Sequence, residues 1–404
     1  AVTRDVLMDQ DTLYTDTSLG YVMAPERSLD IDSAWDLRVV ESVLAQADQP
    51  DSGTAPRTVD IAGRRVGPGE PCLIIAEAGV NHNGDLDLAL KMIDAAAEAG
   101  ADAVKFQTFR AQDLVRPDAP MADYQRTNTG SDSSQLDMLQ GLQLDRKAHD
   151  ALLSRCKERN ILFLSSPFEE LSVDLLDELG VGAFKIPSGE LTNLPFLAHV
   201  AAKAKPLIVS TGMAHLEEVA DAVTAIRETG NQNVILLHCV SAYPADPADA
   251  NLRAMQTLAS AFSAPSGFSD HTPGFGVAVA AAALGACVIE KHFTLDRNLP
   301  GPDHAASLVP EELALMVRSI REAEASLGHG RKEPTQAEQD AARAARKSLF
   351  AATDIPAGTL LSQSLTMARR PGTGLPPAKL YDLLGRSAKR HVPAGTLLTE
   401  DMFA

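Results

Sequence analysis

Val288-Ile289-Glu290-Lys291-His292-Phe293 is the stretch on which the reading of this chain turns. Ala286 to Ile289 form a short apolar run directly after Gly285, as a strand buried on both faces does. Side chains alternate along a strand, so Glu290 and His292 share one face and Lys291 takes the other. Upstream, Gly267-Phe268-Ser269-Asp270-His271 closes a second short run with another histidine. Two imidazoles and a carboxylate from adjacent strand ends can hold a divalent metal and leave coordination positions open. The plainer alternative is a Glu–Lys ion pair beside a histidine that only packs.

Outward from this point one unit recurs between residues 72 and 327: a short apolar run, a polar loop, then a stretch with Ala, Leu and Glu at helical spacing. The apolar runs are 72–76, 102–106, 161–165, 183–187, 206–210, 233–239, 265–269 and 286–293. Helices are expected over 86–99, 147–160, 216–228 and 310–327, among others. Gly100, Gly180 and Gly285 stand where helix C-caps precede the next strand. Eight such units predict an α/β fold, a parallel (β/α)8 TIM barrel over 57–328, with a doubly wound open sheet as the alternative. The excursion 110–144 is long for a connection and reads as a functional lid or loop.

The flanks differ from this core. Residues 1–56 are acidic and poorly periodic and end in the linker-like Gln49-Pro50-Asp51-Ser52-Gly53-Thr54-Ala55-Pro56. Within them Glu26-Arg27-Ser28-Leu29-Asp30-Ile31-Asp32, with Asp36 and Glu41, resembles the end of a nucleotide-sugar cytidylyltransferase, in which the residues matching Asp30 and Asp32 bind magnesium. No Gly-rich nucleotide loop precedes them, so a solvated acidic tail, a remnant of a two-enzyme fusion, is expected rather than that activity. Residues 329–346, rich in Lys, Arg, Glu and Gln, read as a linker. Residues 347–404 read as a small β-rich module, because Asp354-Ile355-Pro356-Ala357-Gly358-Thr359-Leu360-Leu361 is nearly repeated as His391-Val392-Pro393-Ala394-Gly395-Thr396-Leu397-Leu398. Pro with Gly two places on suits a tight turn between short strands.

The chain of 404 residues carries 36 Lys+Arg against 54 Asp+Glu, a net charge of −18, which argues against nucleic acid or an anionic membrane as partner. Cys72, Cys156, Cys239 and Cys287 are widely spaced in apolar contexts and read as reduced core thiols. No signal pattern opens the sequence and its longest apolar stretch is too short to span a bilayer, so a soluble, cytoplasmic protein is expected.

In parallel barrels the reactive groups lie at the C-terminal strand ends. Here those ends carry Glu77, Lys105 with Gln107, Ser166, Lys185 with Ser188, Ser210 with Thr211, Ser241 with Tyr243, Ser269 with His271, and Glu290 with His292. Lysines just after Val104 and Phe184 must be paired or desolvated there. With the serines and nearby backbone N–H groups they make a phosphate site. Each lysine alone has the plainer reading of a snorkelling surface residue. Likewise His82 reads as a turn residue before a helix capped by Asp85, Asp303 as a turn residue, Tyr243 as a packed aromatic and Arg370 as one of a solvated pair with Arg369.

At these positions the chain resembles the sialic acid synthase family. The motifs are Ile75-Ala76-Glu77-Ala78-Gly79-Val80-Asn81-His82-Asn83-Gly84, Ala103-Val104-Lys105-Phe106-Gln107-Thr108-Phe109, Lys185-Ile186-Pro187-Ser188-Gly189-Glu190, Ser210-Thr211-Gly212-Met213, Gly267-Phe268-Ser269-Asp270-His271, Glu290-Lys291-His292-Phe293-Thr294 and Gly301-Pro302-Asp303-His304. The likeness runs from about residue 58 to the C-terminus, where the last module resembles the antifreeze-like (SAF) domain of the same family with Arg369-Arg370-Pro371-Gly372 in place.

The resemblance implies a transferase that condenses phosphoenolpyruvate with an N-acyl hexosamine and releases phosphate, making N-acetylneuraminate or its relative legionaminate. For the latter the sugar is a 2,4-diacetamido-2,4,6-trideoxyhexose. It implies that Lys105, Lys185, Ser188, Ser210 and Ser269 hold phosphoenolpyruvate; at Val240, where some members carry a polar contact, either Ser241 compensates or the contact is absent. His271 and His292 would bind a divalent metal, manganese (Mn2+) with magnesium or cobalt as substitutes, with Glu290 nearby. Glu77, Gln107, Asn128, Tyr243 and Asp303 would contact the open-chain sugar and Arg370 its N-acyl group, across a domain-swapped homodimer. The pseudaminate branch fits less well, because Glu77-Ala78-Gly79-Val80 resembles the other two. A metal-dependent aldolase would not need both lysines. A binding protein, with the terminal module recognising ice or glycans, leaves the strand-end charges without a purpose.

Overall fold

A computed structural model describes residues 58–121, 126 and 134–404. The acidic tail, with Asp30 and Asp32, and the expected sugar contact Asn128 lie outside the described residues. The chain divides into two compact units, Ala1–Gly328 and His329–Ala404.

The first unit opens with a hairpin, β1 (Val59–Ile61) and β2 (Arg64–Val66), followed by eight parallel strands. These are β3 (Leu73–Gly79), β4 (Ala103–Thr108), β5 (Leu162–Pro167), β6 (Phe184–Ile186), β7 (Leu207–Ser210), β8 (Val234–Cys239), β9 (Ser266–Asp270) and β10 (Val288–His292). Their hydrogen-bonded order is β5-β4-β3-β10-β9-β8-β7-β6, and β5 and β6 also pack side by side, bringing the sheet near to closure as a TIM-like barrel. The alternative of an open doubly wound sheet is thereby set aside.

Two-residue alternation builds two cores from the same strands. Ile74, Ala76, Val104, Phe106, Phe163, Phe184 and Ile289 pack outward against the helices. Leu73, Ile75, Ala103, Leu164, Ala183, Ile208, Ile235, Leu237 and Val288 fill the interior, closed at one end by Val59, Ile61 and Val66 of the hairpin. Continuing each inward series by two residues reaches Glu77, Lys105, Ser166, Lys185, Ser210, Cys239 and Glu290. The interior is thus apolar at the bottom and polar at the top.

The helices begin where short polar side chains can cap them. Asp85 accepts hydrogen bonds from the N–H groups of Asp87 and Leu88 and starts Leu86–Glu98, while Asp145 caps Arg146–Glu158. His82 takes the turn role expected of it, its Nδ1 accepting from the Gly84 N–H at 3.0 Å. Among the described residues no helix is long and apolar enough to cross a membrane, and the four cysteines are unpaired and buried.

In the second unit a helix, Glu338–Ala345, occupies part of the stretch expected as a linker. Strands β11 (Ser348–Ala351) and β12 (Thr366–Arg369) pair antiparallel. The two repeats meet at an Ile355–Val392 bridge. In each, the Pro carbonyl accepts from the Thr N–H three residues on, at 3.1 Å, with Gly358 (φ 81°) and Gly395 (φ 79°) at the third turn position. That is a type II turn, which requires a residue tolerating positive φ there. Leu349, Ile355, Leu361, Val392, Leu398 and Phe403 form the core of this unit.

Candidate active site

A cavity of about 570 Å³ opens at the C-terminal ends of the barrel strands. Apart from Asn128 and Arg370, every site residue expected from the sequence lines it: Glu77, Lys105, Gln107, Lys185, Ser188, Ser210, Ser241, Tyr243, Ser269, His271, Glu290, His292 and Asp303. Arg370 lies in the second unit, exposed, with its Nε donating to the Ala345 carbonyl at 2.9 Å.

The floor is a buried network of two lysines and two carboxylates. Lys105 Nζ sits 2.9 Å from Glu77 Oε2 and 3.6 Å from Glu290 Oε2, and donates to Ser166 Oγ at 3.0 Å. Lys185 Nζ lies 3.4 Å from Glu290 Oε1, which also accepts from Ser269 Oγ at 2.8 Å. Burial opposes the charge on Lys105, yet Glu290 and Glu77 together hold its ammonium above the ordinary lysine range. For Lys185 burial wins and its pKa falls, since it shares Glu290 with Lys105. The carboxylates separate in the same way. Burial pushes Glu77 up to about 7 against the pull of Lys105. Glu290 resists burial because Lys105 and Lys185 draw it down to about 2. Two carboxyl groups pushed apart by their surroundings give one permanent anion and one group that exchanges a proton near neutrality.

Beside this floor is a cradle of hydroxyls. The Gly212 N–H donates to Ser188 Oγ at 3.0 Å, and a Cβ on Gly212 would stand 2.3 Å from Ser241 Oγ. Any side chain there would close the cradle. Ser210 Oγ is buried and has no hydrogen-bond partner among the described residues. An anion with several acceptor oxygens would satisfy that hydroxyl and the lysines together.

The two histidines stand side by side at the rim, ring centres 5.4 Å apart, with Tyr243 4.3 Å from His271. His271 Nδ1 is 2.9 Å from the Val240 carbonyl, which can only accept, so Nδ1 carries the proton and Nε2 offers its lone pair. His292 Nδ1 is buried without a hydrogen-bond partner among the described residues. Burial and the neighbouring His271 hold its pKa well below the usual histidine value, keeping the ring neutral as a metal ligand must be. The pair therefore fits a divalent cation as two nitrogen donors. Glu290 is turned to the two lysines and Ser269, and its Oε2 is buried without a hydrogen-bond partner among the described residues. Among the described residues no group of three or more His, Cys, Asp or Glu converges as a ready metal set. Asp303 lines the same rim, and burial raises its carboxyl to about 6.

Three features were not anticipated from the sequence. Lys291 does not pair with Glu290. It is buried on the outward face, where its Nζ reaches Asp270 Oδ2 at 2.8 Å and Asp270 Oδ1 accepts from the Thr272 N–H and hydroxyl. Alternation predicts the opposite faces, and the β9–β10 register makes Asp270 its partner. Cys239, read as a core thiol, lines the cavity with its Sγ 3.7 Å from His271 Nδ1. Finally, one wall of the cavity is apolar and comes from the 110–144 excursion, whose clustered Leu114-Val115 and Met138-Leu139 were the available signal.

Comparison with known proteins agrees with this geometry. The model of the NeuB family matches residues 92–332, more than half the chain, and that of the SAF domain matches residues 346–404. An N,N'-diacetyllegionaminic acid synthase of Campylobacter jejuni is 49% identical over 330 residues, covering 81% of this chain and 99% of the relative. The enzyme of that name from Legionella pneumophila is 48% identical, covering 81% and 93%. The crystal structure of an N-acetylneuraminic acid (sialic acid) synthetase from Leptospira borgpetersenii, in complex with citrate, superposes with a TM-score of 0.63 at 37% identity, covering 71% of this chain and 95% of that one. The chain belongs to the NeuB family, the family of the sialic and legionaminic acid synthases, and carries a SAF domain at its C-terminal end.

Proposed function

We propose that the chain joins C3 of phosphoenolpyruvate to the open-chain aldehyde of an N-acyl hexosamine while a water adds at C2 and the C2–O bond to the phosphorus-bearing oxygen breaks, releasing inorganic phosphate and giving a nine-carbon sialic acid. The observation that carries this reading is the buried floor, where Lys105, Lys185 and the Ser210 hydroxyl, which has no hydrogen-bond partner among the described residues, line one cavity. Lys105, Lys185, Ser188, Ser210 and Ser269 take the phosphate and carboxylate oxygens, with Ser241 beside them. The lysines neutralise a leaving group that departs with its charge. Glu77, holding a proton near neutrality, delivers it to the aldehyde oxygen as the carbon–carbon bond forms. Gln107, whose Nε2 lies 3.5 Å from Glu77 Oε1, orients that carboxyl and the sugar. Tyr243, Asp303 and Asn128 complete the sugar contacts.

His271 and His292 would hold the divalent metal, which when bound supplies Lewis acidity to a carbonyl oxygen. The names of the relatives at 49% and 48% identity favour a 2,4-diacetamido-2,4,6-trideoxyhexose as the sugar, over the N-acetylated hexosamine of N-acetylneuraminate synthesis. Arg370, in a module that follows the barrel, serves the partner's sugar pocket in a swapped homodimer. A phosphate-release assay with phosphoenolpyruvate and a panel of N-acyl hexosamines tests the reading. Release that depends on both substrates supports it, and carbon–carbon cleavage without phosphoenolpyruvate refutes it in favour of an aldolase.

A further inference from the structure

The cavity has two unlike walls. Around the floor stand the lysines, serines and imidazoles. Facing the mouth are Leu114, Val115, Met138, Leu139, Leu142 and Phe168. Five of these come from two helices of the excursion, Ala111–Leu114 and Gln135–Leu142, with the residue that follows the first.

This wall is built, not incidental. The Ala111 N–H donates to Gln143 Oε1 at 3.1 Å, clamping the start of one helix to the end of the other. The longer helix begins in a capping box between Ser134 and Asp137. Its last turn presses on the loop after β3, since a Cβ on Gly84 would lie 2.2 Å from the Gly141 carbonyl oxygen. Leu139 and Leu142 are buried with Val80 and Phe109 in a cluster separate from the barrel core, whereas Leu114, Val115, Met138 and Phe168 stay half-buried.

Among the described residues lining the cavity, the lysines are Lys105 and Lys185, both at the floor and both beside Glu290. Toward the rim stand Asp303 and Glu190. A phosphate arriving there would meet apolar carbon and carboxylates, and a hydroxyl would find Gln135 as the one polar side chain of this wall among the described residues. A methyl group would gain from both contact and desolvation.

We propose that this wall selects the far end of the sugar, favouring a 6-deoxy aldehyde with acylamido groups over its 6-hydroxy counterpart and rejecting a 6-phosphate. The inference rests on the condensation proposed above and adds to it the residues that choose the substrate. The specificity-determining positions lie among the half-buried lining residues Leu114, Val115, Met138 and Phe168, of which Val115 and Met138 have near-isosteric polar replacements.

The test compares kcat/KM, by phosphate release, for 2,4-diacetamido-2,4,6-trideoxymannose, its 6-hydroxy counterpart 2,4-diacetamido-2,4-dideoxymannose and the 6-phosphate of the latter. The first is expected to exceed the second about ten- to a hundredfold, the range in which an apolar pocket discriminates by small groups, and the 6-phosphate to be the poorest. Met138→Gln and Val115→Thr are each expected to shrink the first ratio by several-fold through loss of the deoxy substrate, with KM for phosphoenolpyruvate unchanged. A thermal melt of each variant identifies the one that folds as the wild type does. Equal turnover of the 6-phosphate, or an equal loss on all aldehydes in both variants, overturns the inference and leaves the condensation standing. No phosphate release with any aldehyde overturns the condensation, and the inference with it.

Discussion

Lys185→Met separates a binding lysine from a structural one. In the folded chain the ammonium has one weak carbonyl contact, to Ile186 at 3.3 Å, and shares Glu290 at 3.4 Å. Glu290 keeps Ser269 and Lys105 when Lys185 is removed, so no buried carboxylate is orphaned. Methionine fills nearly the same volume. The fold therefore loses little, and burial even favours the neutral side chain. The substrate loses more. A charge-assisted hydrogen bond contributes about 1.5–3 kcal/mol. At about 1.4 kcal/mol per tenfold, that predicts a fall in kcat/KM for phosphoenolpyruvate of roughly 10- to 150-fold. The assay is phosphate release at saturating sugar over a range of phosphoenolpyruvate, with a thermal melt in parallel. A melt within a few degrees of wild type and a fall in that range support the assignment. Unchanged kcat/KM refutes it, as does a variant that unfolds while its surviving fraction binds phosphoenolpyruvate normally.

Four further outcomes are expected. Glu77 has its folded pKa raised from 4.5 to about 7, so its contribution to stability is fully present below pH 4.5 and is lost as pH rises through 7. Denaturant unfolding between those values should show a downward slope amounting to on the order of 3 kcal/mol, absent in Glu77→Gln, and an identical slope in both proteins contradicts it; Lys105, Glu290 and Lys185 are the charged groups facing it. Lys291→Met leaves the buried Asp270 carboxylate without its cation and should cost about 3–5 kcal/mol in denaturant unfolding, so a loss under about 1 kcal/mol means the pair is incidental. Chelation should abolish phosphate release and Mn2+ restore it, with His292→Ala losing metal binding yet folding normally, since its Nδ1 holds no partner among the described residues; full activity in a metal-stripped sample sinks the metal assignment. Co-expressed His292→Ala and Arg370→Ala chains should recover activity that neither has alone, and verified mixed dimers without recovery would place Arg370 on its own barrel.

How much of this was legible follows from periodicity. Alternation from Leu73 and Ile75 forces Glu77 inward, and from Ala103 forces Lys105 inward, so the barrel and most of its polar top can be read from strand parity alone. Parity also forbids a pair between Glu290 and Lys291. What it cannot supply is the partner, because that depends on which strands are neighbours. Asp270 meets Lys291 through the β9–β10 register, and Glu290 meets Lys105 and Lys185 across the barrel interior. The helix Glu338–Ala345 escaped for another reason. It buries no residue and its apolar positions are all alanine, so only its Ala, Glu, Gln and Arg content signalled it. The apolar wall combined both difficulties, being short helices in a loop whose hydrophobic residues face a cavity rather than a core. The polar strand tops were readable by parity, then, and the apolar wall in a loop was not. This division has a physical origin. Strand-top groups are held by the same ladder that builds the core, whereas the wall is held by a handful of local contacts such as Gln143 on Ala111 and Gly141 on Gly84. Such contacts can be exchanged without disturbing the barrel, so a loop is where one fold can change a cavity wall while the charged floor stays fixed.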